Sequence, residues 1–193
     1  MTDRIRTFIA IEIPERVKDR IGRLQQRLRS IDCQASWVKP SNIHLTLKFL
    51  GDVPRERIAH VVSSVERACT TTPPFEVEAT GVGCFPSPRN PRVLWVGLST
   101  GEAAGLVKLH SAIEAELGGR GFARDKKPFN PHLTIARLRS PKNARQLAEQ
   151  LLTEGFEAER FTAREVIVMR SELNPSGSVY TPLATIALNA ARN

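Results

Sequence analysis

The pattern of apolar and polar residues along the chain predicts a mixture of strands and helices. Short apolar runs bounded by turn-forming residues predict strands at 7–13, 75–85, 92–98, 163–173 and 179–188. Apolar residues spaced three and four positions apart predict four amphipathic helices, which begin near Pro14, Pro54, Gly101 and Pro141. On this spacing, Val107 of the third helix and Leu152 of the fourth should both be buried.

Two further apolar stretches, at 44–47 and 132–135, carry the same motif, His-Leu-Thr followed by an aliphatic residue. Successive side chains of a strand point to opposite faces, so the histidine and threonine of each copy project together, away from the leucine. A single His-x-Thr is common by chance, but this pair uses two of only four histidines. The other two, His60 and His110, are expected to be a surface residue and a partly buried structural residue.

The order of elements also repeats, as motif strand, proline-started helix, strand and strand. This repetition indicates two αβ lobes related by an internal duplication, each presenting one motif strand. We expect the lobes to intertwine in a single domain that spans residues 1–193. If they face one another about a pseudo-twofold axis, the two His-Thr faces line one cleft, although the sequence leaves the orientation of the lobes open.

Composition narrows the class of protein and its partners. The 193 residues are 41% hydrophobic and 25% charged, which is typical of a globular chain. The net charge of +8 favours an acidic partner, and eight basic residues with a single acidic one between 120 and 145 would attract a phosphodiester backbone. The three cysteines are widely spaced, which favours a reducing compartment. No apolar run is long enough for a signal peptide or a membrane span, so we expect a cytoplasmic protein that does not bind membranes.

Two histidines that face one substrate suit general acid and base catalysis, because imidazole gains and loses a proton near neutral pH. The hydroxyls of Thr46 and Thr134 can donate hydrogen bonds to the non-bridging oxygens of a phosphoryl group. The motifs of other chemistries, Gly-x-Ser-x-Gly, a Gly-rich phosphate loop, a dinucleotide fingerprint and His-Glu-x-x-His, do not occur. We therefore expect phosphoryl chemistry without a metal or other cofactor, and the near-identical motifs do not say which histidine gives the proton.

Four further side chains are candidates for substrate binding. Arg137 could clamp a phosphate or stack on a base, but strict alternation places it on the leucine face, so a bulge or the strand end must redirect it. Phe49 has the same difficulty in the first motif strand. Phe49, Phe129 and Tyr180 are candidates either for base stacking or for ordinary core packing.

The paired motifs and their surroundings resemble the two-histidine phosphoesterase superfamily, and within it the RNA 2′,3′-cyclic phosphodiesterases formerly called 2′-5′ RNA ligases. The similarity covers residues 6–10, 37–51, 85–97, 129–137 and 171–180. It implies a bilobal α+β fold in which the antiparallel sheets of two pseudo-symmetric lobes face a central, water-filled cleft. It also implies that His44 protonates the leaving 3′ oxygen and that His132 activates water. Thr46 and Thr134 would then hold the phosphoryl oxygens, with Arg137 near the phosphate.

Three functions remain open at this point. The first is metal-independent hydrolysis of RNA 2′,3′-cyclic phosphate ends to 2′-phosphomonoesters, by a monomer without an obligate protein partner. The second is reversible 2′-5′ joining of RNA, in which a 5′-hydroxyl replaces water. The third is a catalytically silent module that only binds RNA ends, and it would bind in a salt-dependent manner without turnover.

Overall fold

Four helices form where the apolar spacing predicts them, in a computed structural model that describes residues 3–99, 105–175 and 177–189. They are Glu15–Leu28 (α1), Ile58–Thr70 (α2), Gly105–Gly118 (α3) and Ala144–Glu154 (α4). Pro14 directly precedes α1, whereas a 3-10 turn at Arg55–Arg57 separates Pro54 from α2. The predicted start of the third helix at Gly101 lies outside the described residues. In the described part of the chain no helix has the length and apolar character needed to cross a membrane.

The described residues also form nine strands. These are Arg4–Glu12 (β1), Ala35–Trp37 (β2), His44–Pro54 (β3), Phe75–Ser87 (β4), Asn90–Ser99 (β5), His132–Leu138 (β6), Glu159–Ala163 (β7), Glu165–Asn174 (β8) and Gly177–Ala187 (β9). The sequence pattern predicts neither β2 nor β7, because strands of three and five residues are too short for a clear alternation.

The strands pair into two antiparallel sheets, and each sheet contains one motif strand. The first has the order β3-β1-β8-β9 and the second the order β2-β6-β5-β4-β7. The chain contributes β2 to the second sheet between β1 and β3, enters that sheet again for β4 to β7, and returns to the first sheet for β8 and β9. The first sheet therefore takes strands from both ends of the chain. The predicted α+β class with antiparallel sheets is confirmed.

Burial in the two motif strands follows the predicted alternation. Leu45 is 1% exposed and Leu133 is fully buried. The imidazoles of His44 and His132 are half-buried, and Thr46 is exposed. The leucines therefore anchor the strands in the core while the polar side chains reach solvent on the other face.

Two of the predicted core positions are wrong. Val107 of α3 is 50% exposed, because the helix turns Leu106 and Leu109 towards the core instead. Leu152 of α4 is 46% exposed, and its neighbour Leu151 is fully buried. Val107 directly follows Leu106, and Leu152 directly follows Leu151. Consecutive residues of a helix point in different directions, so only one residue of each pair faces the core.

An ion network around the buried Lys48 joins the first motif strand to α3 and to the loop before the second motif strand. The side chain of Lys48, on β3, is 2% exposed, and its Nζ donates a hydrogen bond to Oε1 of Glu114 on α3. The same Nζ lies 3.5 Å from Oδ1 of Asp125, in the loop that leads towards β6. Oε2 of Glu114 accepts a 3.1 Å hydrogen bond from the backbone N–H of Asp125. The network thus ties the first motif strand to the segment before the second.

Candidate active site

Both motifs contribute to one cleft of about 440 Å³ between the two sheets. Its lining includes the histidine and the threonine of each copy, namely His44, Thr46, His132 and Thr134. The predicted convergence of the two His-Thr faces is therefore present. It follows from the strand alternation together with the placement of β3 and β6 in facing sheets.

The two imidazoles are oriented in the same way. Nδ1 of His44 lies 2.8 Å from the backbone oxygen of Asn42, and Nδ1 of His132 lies 2.7 Å from that of Asn130. A carbonyl oxygen can only accept, so Nδ1 carries the hydrogen in each ring. This bond fixes the tautomer and leaves Nε2 of each histidine as the nitrogen available for proton transfer.

The aromatic surroundings of the two rings differ. Phe8 stacks on His44 with centroids 4.8 Å apart, and Tyr180 meets the same ring edge-on at 5.2 Å. His132 has an edge contact with Phe85 at 5.0 Å. Burial against these rings lowers the pKa of His44 below its ordinary value, although the bond to Asn42 acts in the opposite direction. At neutral pH this lowered pKa favours the neutral form of His44.

A β-bulge in each motif strand redirects the side chain five residues after the histidine. In β3 the register shifts between Ile9 and Ala10, which leaves Leu47 without a partner in β1. In β6 the register shifts between Leu94 and Trp95, which leaves Ile135 without a partner in β5. An extra residue on one strand reverses the alternation beyond it.

The bulges bring two predicted binding residues into the cleft. Phe49 and Arg137, which simple alternation assigns to the leucine faces, both line it. Phe49 is 47% exposed. The guanidinium carbon of Arg6, on β1, lies 4.6 Å from the centroid of the Phe49 ring, and Arg6 lines the cleft as well. Arg6 is not among the binding residues that the sequence predicts, and its only signal is a basic residue directly before the apolar run at 7–13.

The other two predicted binding residues lie in different places. Tyr180, on β9, lines the cleft and packs against His44. Phe129 lies outside the cleft lining, in an adjoining groove, where its ring stacks on His110 at 4.0 Å with an interplanar angle of 7°. His60 is exposed and His110 is half-buried, as predicted.

The charges of the cleft suit an anion better than a metal cation. Its described lining residues include two arginines, Arg6 and Arg137, and no carboxylate. A divalent cation usually takes carboxylate or additional imidazole ligands, so this set of donors does not fit one. Arginine side chains, hydroxyls and imidazoles together match a phosphate group.

A second group of potential ligands lies beside the cleft, where His110, Glu114 and Asp125 place ligand atoms within 4.8 Å of one another. It is the one such group among the described residues. The ammonium of Lys48 already bonds Glu114 and lies close to Asp125. The carboxylates therefore have a cationic partner from the protein itself.

Comparison with known proteins supports this picture of two repeated units. The model of the family described as LigT like Phosphoesterase matches the chain twice, over residues 11–95 and 96–180, with one His-x-Thr motif in each match. An RNA 2′,3′-cyclic phosphodiesterase of Methanothermobacter thermautotrophicus is 34% identical over 96% of this chain and 100% of its own length. One from Thermotoga maritima is 33% identical over 93% of each chain.

Among solved structures, TT0787 of Thermus thermophilus superposes with a TM-score of 0.80 at 26% identity, and covers 97% of this chain and all of its own. The crystal structure of Escherichia coli LigT complexed with NADP+ has a TM-score of 0.77 at 24% identity, which shows a shared fold. The two matches to the family model together include both motifs and most of both sheets. The chain therefore belongs to the LigT-like phosphoesterase family.

Proposed function

We propose that this protein hydrolyses the 2′,3′-cyclic phosphate at the 3′ end of RNA to a 2′-phosphomonoester. The observation that carries the proposal is the convergence of two His-Thr pairs on one cleft that also holds two arginines. The names of the relatives point to the same substrate. One chain supplies both pairs, so the reaction needs no second subunit.

In the proposed reaction, Nε2 of His132 takes a proton from water as the water oxygen attacks phosphorus. The bond from phosphorus to the 3′ oxygen breaks, and that oxygen takes a proton from Nε2 of His44. The direction of transfer rests on the resemblance to two-histidine phosphoesterases. It is compatible with the low pKa of His44, which makes its imidazolium a stronger acid.

The remaining polar groups of the cleft stabilise the negative charge of the phosphoryl group. We assign Thr46 and Thr134 as donors to its non-bridging oxygens, and Arg137 as a charged donor beside them. Binding of this anion would raise the pKa of His44, because a nearby negative charge favours the imidazolium. The substrate would therefore help to load the proton that His44 delivers.

The nucleoside of the RNA end requires an aromatic surface, which this cleft provides. Phe49 and Tyr180 both line it, and Phe49 presents nearly half of its surface to solvent. A base stacked on either ring would be held without strong sequence preference, because every base has a π-face. The net charge of +8 favours binding of the RNA backbone.

The proposal is tested with an oligonucleotide that ends in a 2′,3′-cyclic phosphate, incubated with the protein in excess chelator. We expect a 2′-phosphate product, and His44→Ala and His132→Ala should each reduce kcat by about 10²–10⁴-fold, the usual contribution of acid–base catalysis. His60→Ala, which removes an exposed histidine of α2, is the matched control. A loss of less than about tenfold in either motif variant would contradict the assigned roles.

A further inference from the structure

The cleft continues into a groove with a positively charged lining. This groove has a volume of about 590 Å³ and shares Asn42 and Arg137 with the cleft, among others. Beyond the shared part, its lining includes Lys39 and Arg139, and no carboxylate occurs among the described residues that line it. We call it the His44 groove, because Asn42 also holds the imidazole of His44 through its backbone oxygen.

Both sheets contribute to the His44 groove, and a hydrogen bond joins the two contributions. One part of the lining comes from β2, the turn after it and the end of β6, and the other part comes from the tip of the β8–β9 hairpin. Nδ2 of Asn42 donates a 2.8 Å hydrogen bond to the backbone oxygen of Ser178, on β9. Because the backbone oxygen of the same asparagine bonds Nδ1 of His44, the groove is fixed in position relative to that imidazole.

The three cations of the groove are available to a ligand. Lys39, Arg137 and Arg139 are exposed, and within the described residues none of them is paired with a carboxylate. Nε of Arg139 donates a hydrogen bond to Oγ of Ser36, which leaves the terminal N–H groups of the guanidinium free to donate to a ligand. Arg137 and Arg139 are two residues apart in an extended segment, so they lie about 6.6 Å apart along it, close to the spacing of successive phosphates in an extended single strand.

Apolar surface lies among these cations. Trp37 lines the groove, and the guanidinium carbon of Arg29 lies 4.9 Å from the centroid of its ring. Leu173, at the tip of the β8–β9 hairpin, is 71% exposed and lines both the cleft and the groove. A charged track with aromatic and apolar surface beside it is the combination that binds a single nucleic acid strand, because the cations hold phosphates while the bases cover the apolar groups.

The direction of the proposed reaction determines which end of the cleft the RNA strand occupies. In phosphoryl transfer the entering and leaving oxygens lie on opposite sides of phosphorus, roughly in line. Under the proposed function the leaving 3′ oxygen is beside His44, and water approaches phosphorus from the side of His132. The 3′ oxygen belongs to the terminal ribose, so this ribose and the strand attached to its 5′ carbon lie on the side of His44, where the His44 groove begins.

We propose that the His44 groove binds the internucleotide phosphates that precede the 3′ end, so that the protein selects cyclic phosphates on polynucleotide ends over free mononucleoside cyclic phosphates. The inference rests on the proposed function, because the position of the strand follows from the assigned roles of the two histidines. Arg137 holds the cyclic phosphate in the cleft, and Arg139 and Lys39 hold the phosphates upstream. A mononucleoside cyclic phosphate fills the cleft alone and gains nothing from the groove.

The double substitution K39E/R139E tests the groove without altering the cleft. Hydrolysis is measured with a mononucleoside 2′,3′-cyclic phosphate, and with a dinucleotide and a tetranucleotide that end in the same group. In the wild type we expect kcat/KM to be about tenfold or more higher for the tetranucleotide than for the mononucleoside. K39E/R139E should abolish this advantage and leave kcat/KM for the mononucleoside within about twofold of the wild type. The matched variant K126E/K127E, which reverses two exposed charges in the groove on the side of His132, should keep the advantage.

Two further measurements separate local contacts from the effect of net charge. R23E/K108E changes the net charge equally at exposed positions of α1 and α3, and it should leave the advantage of the tetranucleotide unchanged. In the wild type the advantage should fall as salt rises, because each contacted phosphate of a single strand contributes a slope of about −0.7 to the logarithm of affinity against that of salt concentration. Two contacts, from Lys39 and Arg139, predict a slope of about −1.4.

Other results would overturn the inference in distinguishable ways. Equal kcat/KM for all three substrates in the wild type, or an advantage that does not change with salt, would show that no upstream phosphate is bound. Loss of the advantage in K126E/K127E but not in K39E/R139E would place the strand on the side of His132. An equal loss of mononucleoside hydrolysis in K39E/R139E would show that these cations act on the cleft itself. Failure of the wild type to hydrolyse any of the three substrates would instead refute the proposed function on which the inference rests.

Discussion

Replacement of Lys48 by methionine should destabilise the fold far more than the loss of an ordinary ion pair. The side chains of Lys48 and Glu114 are 2% and 11% exposed, so methionine leaves a carboxylate in the protein interior without its cationic partner. Removal of one member of a buried pair typically costs about 3–5 kcal/mol. The exposed pair of Arg145 and Glu149, with side chains 73% and 56% exposed, provides the comparison, and Arg145→Ala should cost less than about 1 kcal/mol.

Urea unfolding monitored by the fluorescence of Trp37 and Trp95 measures both free energies of unfolding. The double variant K48M/E114Q should recover at least half of the loss in K48M, because the amide of glutamine no longer carries an uncompensated charge. Its oxygen can still accept the N–H of Asp125, which Glu114 Oε2 accepts at 3.1 Å. A cost below about 1 kcal/mol for K48M, or no recovery in the double variant, would refute the view that an unpaired buried carboxylate is what destabilises the protein.

Three further predictions concern the cleft. The pKa of His44, followed by NMR, should lie below the ordinary value of about 6.5. It should rise when phosphate saturates the cleft, because a nearby negative charge favours the imidazolium. If phosphate leaves the pKa of His44 unchanged, the assigned anion site is contradicted. The lowered pKa also means that, as pH falls, the unfolded chain binds a proton at His44 before the folded chain does. The free energy of unfolding should therefore fall as pH drops through about 6.5, and it should fall less steeply in His44→Gln. Equal slopes for the two proteins in urea titrations at several pH values would contradict this. Arg137→Ala should lower kcat/KM for the cyclic-phosphate oligonucleotide by about 10- to 100-fold, since a hydrogen bond to a charged group is worth about 1.5–3 kcal/mol, whereas Arg23→Ala on α1 should have no effect.

Local patterns predict much of this fold because the information they use is carried within each element. The stripe of Val17, Ile21, Leu24 and Leu28 is buried in α1 as its spacing requires. The two His-Thr faces follow from alternation within β3 and β6 alone. Leu151 and Leu152 are adjacent, and which of them is buried depends on the element that packs against α4. The sequence pattern of α4 contains no information about that element.

The parts that sequence reasoning could not place depend on the neighbouring strand. A bulge exists only relative to a partner, so neither Leu47 nor Ile135 is recognisable as an extra residue from its own strand. Alternation did show that Arg137 would need such a bulge to reach the cleft. Arg6 was missed for a related reason, because its approach to Phe49 follows from the pairing of β1 with β3.

The duplicated backbone and the unequal side chains together explain how two nearly identical motifs can take different roles. Both copies have the same bond from Nδ1 to a carbonyl, and both have a bulge one residue after the threonine. The position that the bulge redirects is an aromatic ring in one copy, Phe49, and a guanidinium in the other, Arg137. A cleft that was fully symmetric would bind its substrate equally well in two opposite orientations, with each histidine as donor in one of them. The side chains at these equivalent positions make the two orientations unequal, because the strand that carries the cyclic phosphate meets the guanidinium of Arg137 in one orientation and the ring of Phe49 in the other.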